Sequence, residues 1–365
     1  MAKLENIIPA EALAFLEEYI NTTSPTGYEW KGQQVWLDYI KPYIDTYHVD
    51  NYGTVYGVIN EDAPYKVVIE AHADEISWQV HHITDDGFIY VIRNGGSDHQ
   101  IAPSKRVYIH TRDGKKKIKA VFGWPAIHLR RGENDKPPKP DNIFLDCGCK
   151  SKEEVEALGI HNGCVVTYED EFITLNDRYY VGRALDNRMG GFMIAQVARL
   201  LKENNIELPF GLYIVNSVQE EVGLRGAQMI TQTIKPDVAI VTDVAHDTST
   251  PMINKIKQGD FRCGNGPILC FAPAVQQKLL NLIIETAEKN ELPFQREASS
   301  RSTGTDTDAF AYSNGGVVSA LISLPLRYMH TTVEMVAIED VKTVISMIYH
   351  SLQNIENNHD FRYLK

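Results

Sequence analysis

The chain has 365 residues, of which 43% are hydrophobic and 23% charged, and its formal net charge is −12. This composition is typical of a globular protein with two domains, or with one large domain that carries an insertion. The acidic balance disfavours nucleic-acid binding, and we find no apolar run near the ~18 residues of a membrane span.

The N-terminal region and the cysteines predict a cytoplasmic protein. Residues 1–20 carry four glutamates among their apolar residues, which is unlike the apolar core of a signal peptide. Five cysteines are too few and too scattered for a disulfide framework. Cys147 and Cys149 have no second pair at zinc-site spacing, so we expect ordinary thiols there.

Two amphipathic helices are the first predicted elements. They lie within residues 10–43, and a proline and a glycine separate them at Thr23–Gly27. Three short apolar runs follow and predict strands: Val55–Ile59, Val67–Glu70 and Ile76–Ile83.

The segment from residue 77 to 171 has a different pattern. Apolar and polar residues alternate there between turn signals such as Asn94-Gly95-Gly96. One helix interrupts the segment, with Ser151 as its N-cap and Glu154 completing a capping box. The pattern predicts a small, mostly β module.

After residue 171, strands alternate with helices. The predicted helices are Met189–Asn204, Leu224–Thr233, Ala274–Asn290 and Ile338–Asn357, and the strands between them are Phe210–Val218, Val238–Thr242 and Val317–Leu324. Such alternation implies a sheet covered by helices on both faces. We therefore predict an α/β fold: a mixed-sheet α/β/α domain of residues 1–76 and 172–365, interrupted by a β-rich insertion of residues 77–171.

Residues that can bind a metal ion follow four of the predicted strands. They are His72 with Asp74, Glu220 with Glu221, Asp243, and His330, while Asp186 stands just before the helix at Met189. The carboxyl ends of strands in open α/β sheets face the ligand crevice, so these side chains can converge. Alone, each has an ordinary interpretation as a turn residue or a helix cap. Their coincidence at element ends favours a site.

The residue types indicate a pair of divalent metal ions. Two imidazoles with three carboxylates suit zinc, cobalt or manganese better than calcium or magnesium. Two divalent ions and three carboxylates together leave one net positive charge, which a bridging hydroxide would neutralise. One carboxylate must use both of its oxygens to hold the ions ~3.5–4 Å apart. One member of Glu220-Glu221 can bind metal while the other faces the water. Asp74 can orient the ring of His72.

Several motifs resemble those of the tetrahedral, or TET, metallo-aminopeptidases of clan MH, which include glutamyl and deblocking aminopeptidases. The resemblance covers nearly the whole chain, and its most specific string is Gln219–Ala227. The other motifs are Ser24-Pro25-Thr26-Gly27-Tyr28-Glu29, His72-Ala73-Asp74-Glu75-Ile76, Leu185-Asp186-Asn187-Arg188, Gly264-Asn265-Gly266-Pro267, Gly304-Thr305-Asp306 and His330-Thr331-Thr332-Val333-Glu334-Met335.

The resemblance implies a role for each candidate residue. One metal ion would be held by His72 and Asp243, the other by Glu221 and His330, with Asp186 as the bridge. Glu220 would be the general base, and Asp74 would support His72. The insertion would be a β-barrel-like dimerisation domain, and the dimers would form a hollow tetrahedral dodecamer that cleaves small peptides.

Thr305 and Asp306 lie on a glycine-rich loop before the strand that leads to His330. We expect them to line the site and to position the substrate. The alternative is a surface turn with an Asx cap, mainly at Asp308.

Some positions depart from the family pattern or could be mistaken for ligands. Asn187 stands beside the bridge where many members carry Asp, and we expect the metals to tolerate it. Trp78 and Thr307-Asp308 bear on specificity, because they are expected near the substrate. We expect no ligand role for a further set of residues: His81, His82, His110, His128, His246 and Asp247.

Two other functions stay open. An N-acyl amino acid deacylase could use the same two-metal site, and a non-catalytic assembly protein could retain the metals for stability. Some family members are labelled endoglucanases, but a glycosidase needs two carboxylates flanking a sugar bond, and here the carboxylates are expected on metal.

Overall fold

A computed structural model describes residues 6–111, 114–132 and 135–364 of the chain. Within these residues no helix is both long enough and apolar enough to cross a membrane. The helices are α1 Ala10–Asn21, α2 Trp30–Ile40, α3 Lys152–Ala157, α4 Leu185–Glu203, α5 Arg225–Ile234, α6 Lys255–Gln258, α7 Gln277–Lys289, α8 Asp306–Ala311 and α9 Ile338–Leu352.

The strands form one large sheet, one small sheet and one barrel. In chain order they are β1 Thr46–Val49, β2 Val55–Ile59, β3 Lys66–His72, β4 Ser77–Ile83, β5 Ile89–Asn94, β6 Arg106–His110, β7 Lys117–Gly123, β8 Phe144–Asp146, β9 Val165–Tyr168, β10 Ile173–Leu175, β11 Tyr179–Gly182, β12 Gly211–Ser217, β13 Val238–His246, β14 Ile268–Phe271, β15 Gln295–Ala298, β16 Val318–Leu326 and β17 Glu334–Ala337.

The large sheet is mixed. Its order in the described chain is β1-β2-β12-β3-β13-β16-β14-β15, and the four central strands β12, β3, β13 and β16 are parallel. These strands are buried almost throughout, which their continuous apolar runs predicted. Helices α4 and α9 pack together on the sheet, and so do α5 and α8. The predicted mixed-sheet α/β class is confirmed.

The insertion is a closed barrel with the strand order β4-β5-β8-β7-β6-β9, and all its pairings are antiparallel. It has its own apolar core, separate from that of the large sheet. The barrel-like insertion is therefore confirmed, whereas its boundaries at residues 77 and 171 stay a prediction. The backbone amide of Glu154 donates to the hydroxyl of Ser151, as the predicted capping box requires. The Glu154 carboxylate, however, accepts from the backbone amide of Lys150 and not from that of Ser151, so only half of the box forms.

Two differences from the predicted elements matter for the site. Strand β13 continues to His246, so Asp243 lies inside this strand and does not follow it. Strand β3 pairs with β13 only as far as Val241, so Asp243 lies beyond the last residue pair of these two strands. Helix α4 begins at Leu185, but the backbone of Asp186 and Asn187 is not helical, and the peptide bond between them is cis.

Candidate active site

The carboxyl ends of the central parallel strands bring the predicted ligands together. Strand β3 ends at His72, which is in register with Ser217 at the end of β12. Continuing the register of β3 and β13 places Asp243 beside His72. Glu220 and Glu221 follow β12 on a 3₁₀ turn, Glu220–Val222. The parallel arrangement therefore explains why residues far apart in sequence meet.

Asp186 lies at the centre of the cluster. Its Oδ1 is 3.2 Å from Nε2 of His72, and its Oδ2 is 3.2 Å from Nε2 of His330. The two carboxylate oxygens thus face two different imidazoles, which is the arrangement that a bridging carboxylate needs.

Two groups of potential ligands share Asp186. One is His72, Asp186 and Asp243, and the other is Asp186, Glu221 and His330; within each, one donor atom per residue lies within 4.8 Å of the others. The Oδ1 of Asp243 is 3.9 Å from Nε2 of His72, and the Oε1 of Glu221 is 3.5 Å from Nε2 of His330. The structure therefore brings all five predicted ligands together. We call these groups the His72 half-site and the His330 half-site.

Glu220 belongs to neither half-site, although it could join His72 and Glu221 in a third grouping. Its Oε2 is 3.8 Å from Nε2 of His72, and its side chain is 12% exposed, compared with 5% for Glu221. Glu220 therefore lies beside the ligands and faces the cavity.

Asp74 connects the His72 ring to the turn that carries the glutamates. Its Oδ1 is 3.4 Å from Nδ1 of His72 and accepts the amide of Glu220, while its Oδ2 accepts the amide of Glu221. The hydroxyl of Thr26 donates to the same carboxylate at 2.9 Å. Because Asp74 is fully buried, these contacts fix the positions of His72 and of the turn relative to each other.

Glu334 plays the corresponding part for the His330 half-site. Its carboxylate accepts the amide of Asp186 at 3.1 Å and the amide of His330 at 2.7 Å. Glu334 is 1% exposed. One buried side chain thus positions the backbone of both the central carboxylate and the second histidine.

The barrel also reaches the site, through the loop after β5. The carbonyl oxygen of Gly96 lies 3.2 Å from Nδ1 of His330. A Cβ at Gly96 would meet the His330 ring at 2.4 Å, and a Cβ at Gly95 would meet Glu221 at 3.1 Å. The two glycines therefore allow the insertion to touch the ligands of the His330 half-site.

A cavity of about 560 Å³ opens onto the cluster. Its lining includes Thr305, as predicted, but not Asp306. Thr305 caps α8 by accepting the amide of Thr307, which places Asp306 in the first turn of that helix. There Asp306 is 1% exposed and accepts a hydrogen bond from Ser217 at 2.8 Å. Asp306 was expected to line the site, but this buried position keeps it out of the cavity lining.

Comparison with known proteins identifies the family. The model of the M42 glutamyl aminopeptidases matches residues 53–347. The chain belongs to the M42 glutamyl aminopeptidase family. This assignment confirms the resemblance to TET aminopeptidases and shows that the protein is a peptidase.

Curated relatives of this M42 peptidase include a lysyl aminopeptidase from Pyrococcus furiosus, 32% identical over 93% of this chain and 96% of the relative. A glutamyl aminopeptidase from Lactococcus lactis is 32% identical over 77% of this chain and 78% of the relative. Both are aminopeptidases, and their names differ in the residue removed.

Solved structures share the whole fold. A TET aminopeptidase from a marine-sediment Thaumarchaeota archaeon superposes with a TM-score of 0.90 at 26% identity, covering 95% of this chain and 97% of that chain. The TET1 peptidase of Pyrococcus horikoshii superposes with a TM-score of 0.81 at 25% identity, covering 93% and 98%. That peptidase can assemble into a tetrahedron or a large octahedral shell.

The electrostatics of the cluster fit the divalent metal ions that an M42 peptidase implies. Burial raises the pKa of Glu220 to about 10 and that of Asp243 to about 8, and neighbouring carboxylates add to both shifts. Burial acts the same way on Asp186, but the imidazoles of His330 and His72 outweigh it and lower the pKa of Asp186 below its usual range. Crowded buried carboxylates are short of positive charge, which divalent cations would supply.

The departures from the family pattern have structural explanations. Trp78 is fully buried in the barrel core and donates to the hydroxyl of Tyr168 at 3.1 Å, so its expected position near the substrate was wrong. Asn187 donates to the carbonyl of Thr242 at 2.7 Å. Asp308 accepts the amides of Thr303 and Gly304 and shapes the loop, close to the alternative interpretation of a capped turn.

The remaining histidines lie outside both half-sites. His246 lines the cavity, but it forms part of no described metal group. Asp247 accepts hydrogen bonds from Cys263 and Arg327 and is structural. His81, His82 and His128 are exposed on the insertion, whereas His110 is buried and contacts Thr167 at 2.8 Å.

Sequence reasoning missed two positioning residues, Glu334 and Gly96. Glu334 was present in the His330–Met335 motif, and its place in that motif was the available signal. Gly96 was noticed only as part of a turn. Nothing in the local pattern indicated a contact with a histidine 234 residues later.

Proposed function

We propose that this peptidase is a two-metal aminopeptidase that removes N-terminal residues from small peptides. The observation that carries the proposal is the central position of Asp186, whose two oxygens each lie 3.2 Å from a different histidine. His72 and Asp243 would hold one divalent ion, Glu221 and His330 the other, and Asp186 both. The donor set suits zinc or cobalt, with manganese as a third candidate.

The bound ions would supply Lewis acidity, polarising the scissile carbonyl and lowering the pKa of a water molecule. Glu220 would act as the general base. It takes a proton from the attacking water and passes it to the nitrogen of the leaving peptide. Its place outside both half-sites, on the cavity side of His72, supports this role, because a group committed to metal cannot carry a proton.

Asp74 and Glu334 would keep the reacting groups in register. Asp74 sets the distance between His72 and the glutamate turn, and Glu334 sets the distance between Asp186 and His330. Thr305 would line the wall that contacts the substrate, although its hydroxyl is engaged as the cap of α8.

The test compares free and blocked substrates. Metal-depleted protein, reloaded with zinc or cobalt, is assayed on an alanyl or leucyl peptide and on the same peptide with an acetylated N-terminus. We expect the free peptide to be cleaved much faster, and Glu220→Gln to serve as the inactive control.

Other outcomes identify the alternatives. Equal rates, or a faster release of the acetyl group, would favour the deacylase. A protein that binds two metal ions but hydrolyses none of these substrates would favour the non-catalytic assembly protein.

We also propose a cytoplasmic homo-oligomer in which the barrel forms the dimer contact and dimers build a dodecamer. The cytoplasmic location rests on the free cysteines. The assembly is supported by the fold shared with a peptidase that forms a tetrahedron. Exposed apolar side chains on the barrel, Ile127 and Leu129, are 68% and 73% exposed and are candidates for the contact.

Deletion of the whole barrel is a poor test, because it would also remove Gly96 from His330. The double substitution Ile127→Asp with Leu129→Asp is cleaner, and mass measurement by light scattering should show a species smaller than the native assembly. The control, Met252→Asp with Ile256→Asp, changes two apolar residues of the other domain that are even more exposed. Loss of the dimer only in the control would place the contact there.

A further inference from the structure

The floor of the cavity crosses the sheet from the metal cluster to its last strand. Asp243 on β13 is in register with Ser323 on β16. Ser323 and Leu321 both line the cavity, as does Cys270 on the next strand, β14. Cys270 is in register with Glu297 on β15, which lines the cavity too. Glu297 therefore stands at the far wall of the floor that begins at the ligands.

Glu297 differs from the other carboxylates of the cavity because it has no partner. Neither a hydrogen bond nor an ion pair reaches its side chain from the described residues. Its neighbour Arg296 is exposed and lies 3.7 Å from Glu288 on α7. The cavity lining in the described chain includes neither lysine nor arginine. A half-buried carboxylate of this kind gains from a cation that arrives with the substrate.

The distances suit a long side chain. Glu297 lies three strands away from β13 and level with Val241, two residues before Asp243. The backbones of Asp243 and Glu297 are therefore about 16 Å apart at the usual strand spacing and rise per residue. The side chains of Asp243 and Glu297 both project over the floor and shorten that gap. A lysine or arginine side chain, with its long flexible stem, can span it from a scissile bond at the metal cluster.

We propose that Glu297 selects peptides whose N-terminal residue is lysine or arginine, by pairing with the cationic end of that side chain. This inference rests on the proposed aminopeptidase function and names its substrate class. Cys270 and Leu321 are both 2% exposed and close the floor between the cluster and Glu297.

The same geometry disfavours acidic N-terminal residues. A glutamate or aspartate in this position would face Glu297 without a cation to pair with, and like charges oppose binding. A hydrogen bond to a charged partner supports a preference of about 10- to 100-fold in kcat/KM.

The test uses lysyl and norleucyl p-nitroanilides, because norleucine keeps a long unbranched chain and lacks the charge. The native protein, loaded with zinc or cobalt, should prefer lysine by about 10- to 100-fold. Glu297→Gln should lower the lysine value until the ratio approaches one. The control Glu288→Gln, which changes an exposed glutamate of α7 outside the cavity, should leave the ratio unchanged. An unaltered ratio in Glu297→Gln would overturn the inference.

Two further measurements separate the ways of failing. If the effect of Glu297→Gln appears with Ala-Lys and not with Lys-Ala, the carboxylate serves the second residue and the inference is wrong. If norleucyl substrates are cleaved without a preference for lysine, the inference fails and the aminopeptidase stands.

If no substrate is cleaved, the proposed function fails. Calorimetric titration of the metal-loaded protein with free L-lysine and with free L-norleucine then tests whether Glu297 binds a cationic side chain. If lysine binds more tightly than norleucine and Glu297→Gln abolishes the difference, the inference is supported. If the two amino acids bind equally, the inference is overturned.

Discussion

The two half-sites are built from different parts of the molecule. His72 and Asp243 stand on adjacent buried strands of the central sheet, and the His72 side chain is 2% exposed. His330 lies four residues beyond the end of β16, in a left-handed backbone conformation, and its side chain is 33% exposed. The ring of His72 is held by Asp74 from its own strand end, whereas that of His330 contacts Gly96 of the inserted barrel.

The inserted barrel thus contacts the His330 half-site without contributing a side chain to it. The His72 half-site is fixed by the sheet, so it should bind its ion tightly with or without small movements of the barrel. The His330 half-site depends on where the barrel rests. We therefore expect two unequal metal sites, with the ion of the His330 half-site lost first.

Glu220→Gln should have the largest effect on catalysis and no effect on either half-site. Since the amide cannot accept the proton of water, kcat should fall by roughly 10²–10⁴. Metal analysis should still find as many ions as in the native protein. A loss of metal from this variant would show that Glu220 is a ligand, as the third grouping with His72 and Glu221 allows.

Asp74→Asn should weaken both half-sites. The backbone amides of Glu220 and Glu221 donate to different oxygens of Asp74, and in asparagine one of these oxygens becomes an NH2 group that cannot accept. One of the two hydrogen bonds is therefore lost, and the position of the whole turn changes. Loss of an outer hydrogen-bond partner typically costs 10–100-fold in metal affinity. Competition with a chelator measures that loss. Asp62→Asn, at an exposed position, is the control, and native affinity in Asp74→Asn would refute the supporting role.

Gly96→Ala should have the smallest effect and should separate the half-sites. The added Cβ would meet the ring of His330, to which its three nearest side-chain atoms all belong. The weaker ion should lose about tenfold in affinity, and the tighter one should keep its own. The control Gly182→Ala meets nothing closer than 3.5 Å. If the tighter ion were the one weakened, the assignment of the barrel contact would be wrong.

The sequence predicted the His72 half-site better than its surroundings. Strand ends in a parallel sheet meet at one edge, so His72 and Asp243 could be expected together from local patterns alone. The contact of Gly96 with His330 depends on how two separately folded units rest on each other, which no local pattern records.

Burial was the harder quantity to predict. Alternation in β4 showed that Trp78 would face one side of a strand, but not that this side was the interior of a barrel. Likewise, the loop signal at Gly304 did not reveal that Thr305 caps helix α8 or that Asp306, in the first turn of this helix, is buried. Both residues were expected near the substrate for lack of this information.

The central claim is that Asp186 joins two unequal metal sites, and a calorimetric titration of metal-free protein with zinc tests it most directly. The native protein should bind two ions per chain with distinct affinities. His330→Ala should lose only the weaker ion, and Asp186→Ala should weaken both. One ion per chain in the native protein, two ions of equal affinity, or two ions retained at native affinity by Asp186→Ala would contradict the account.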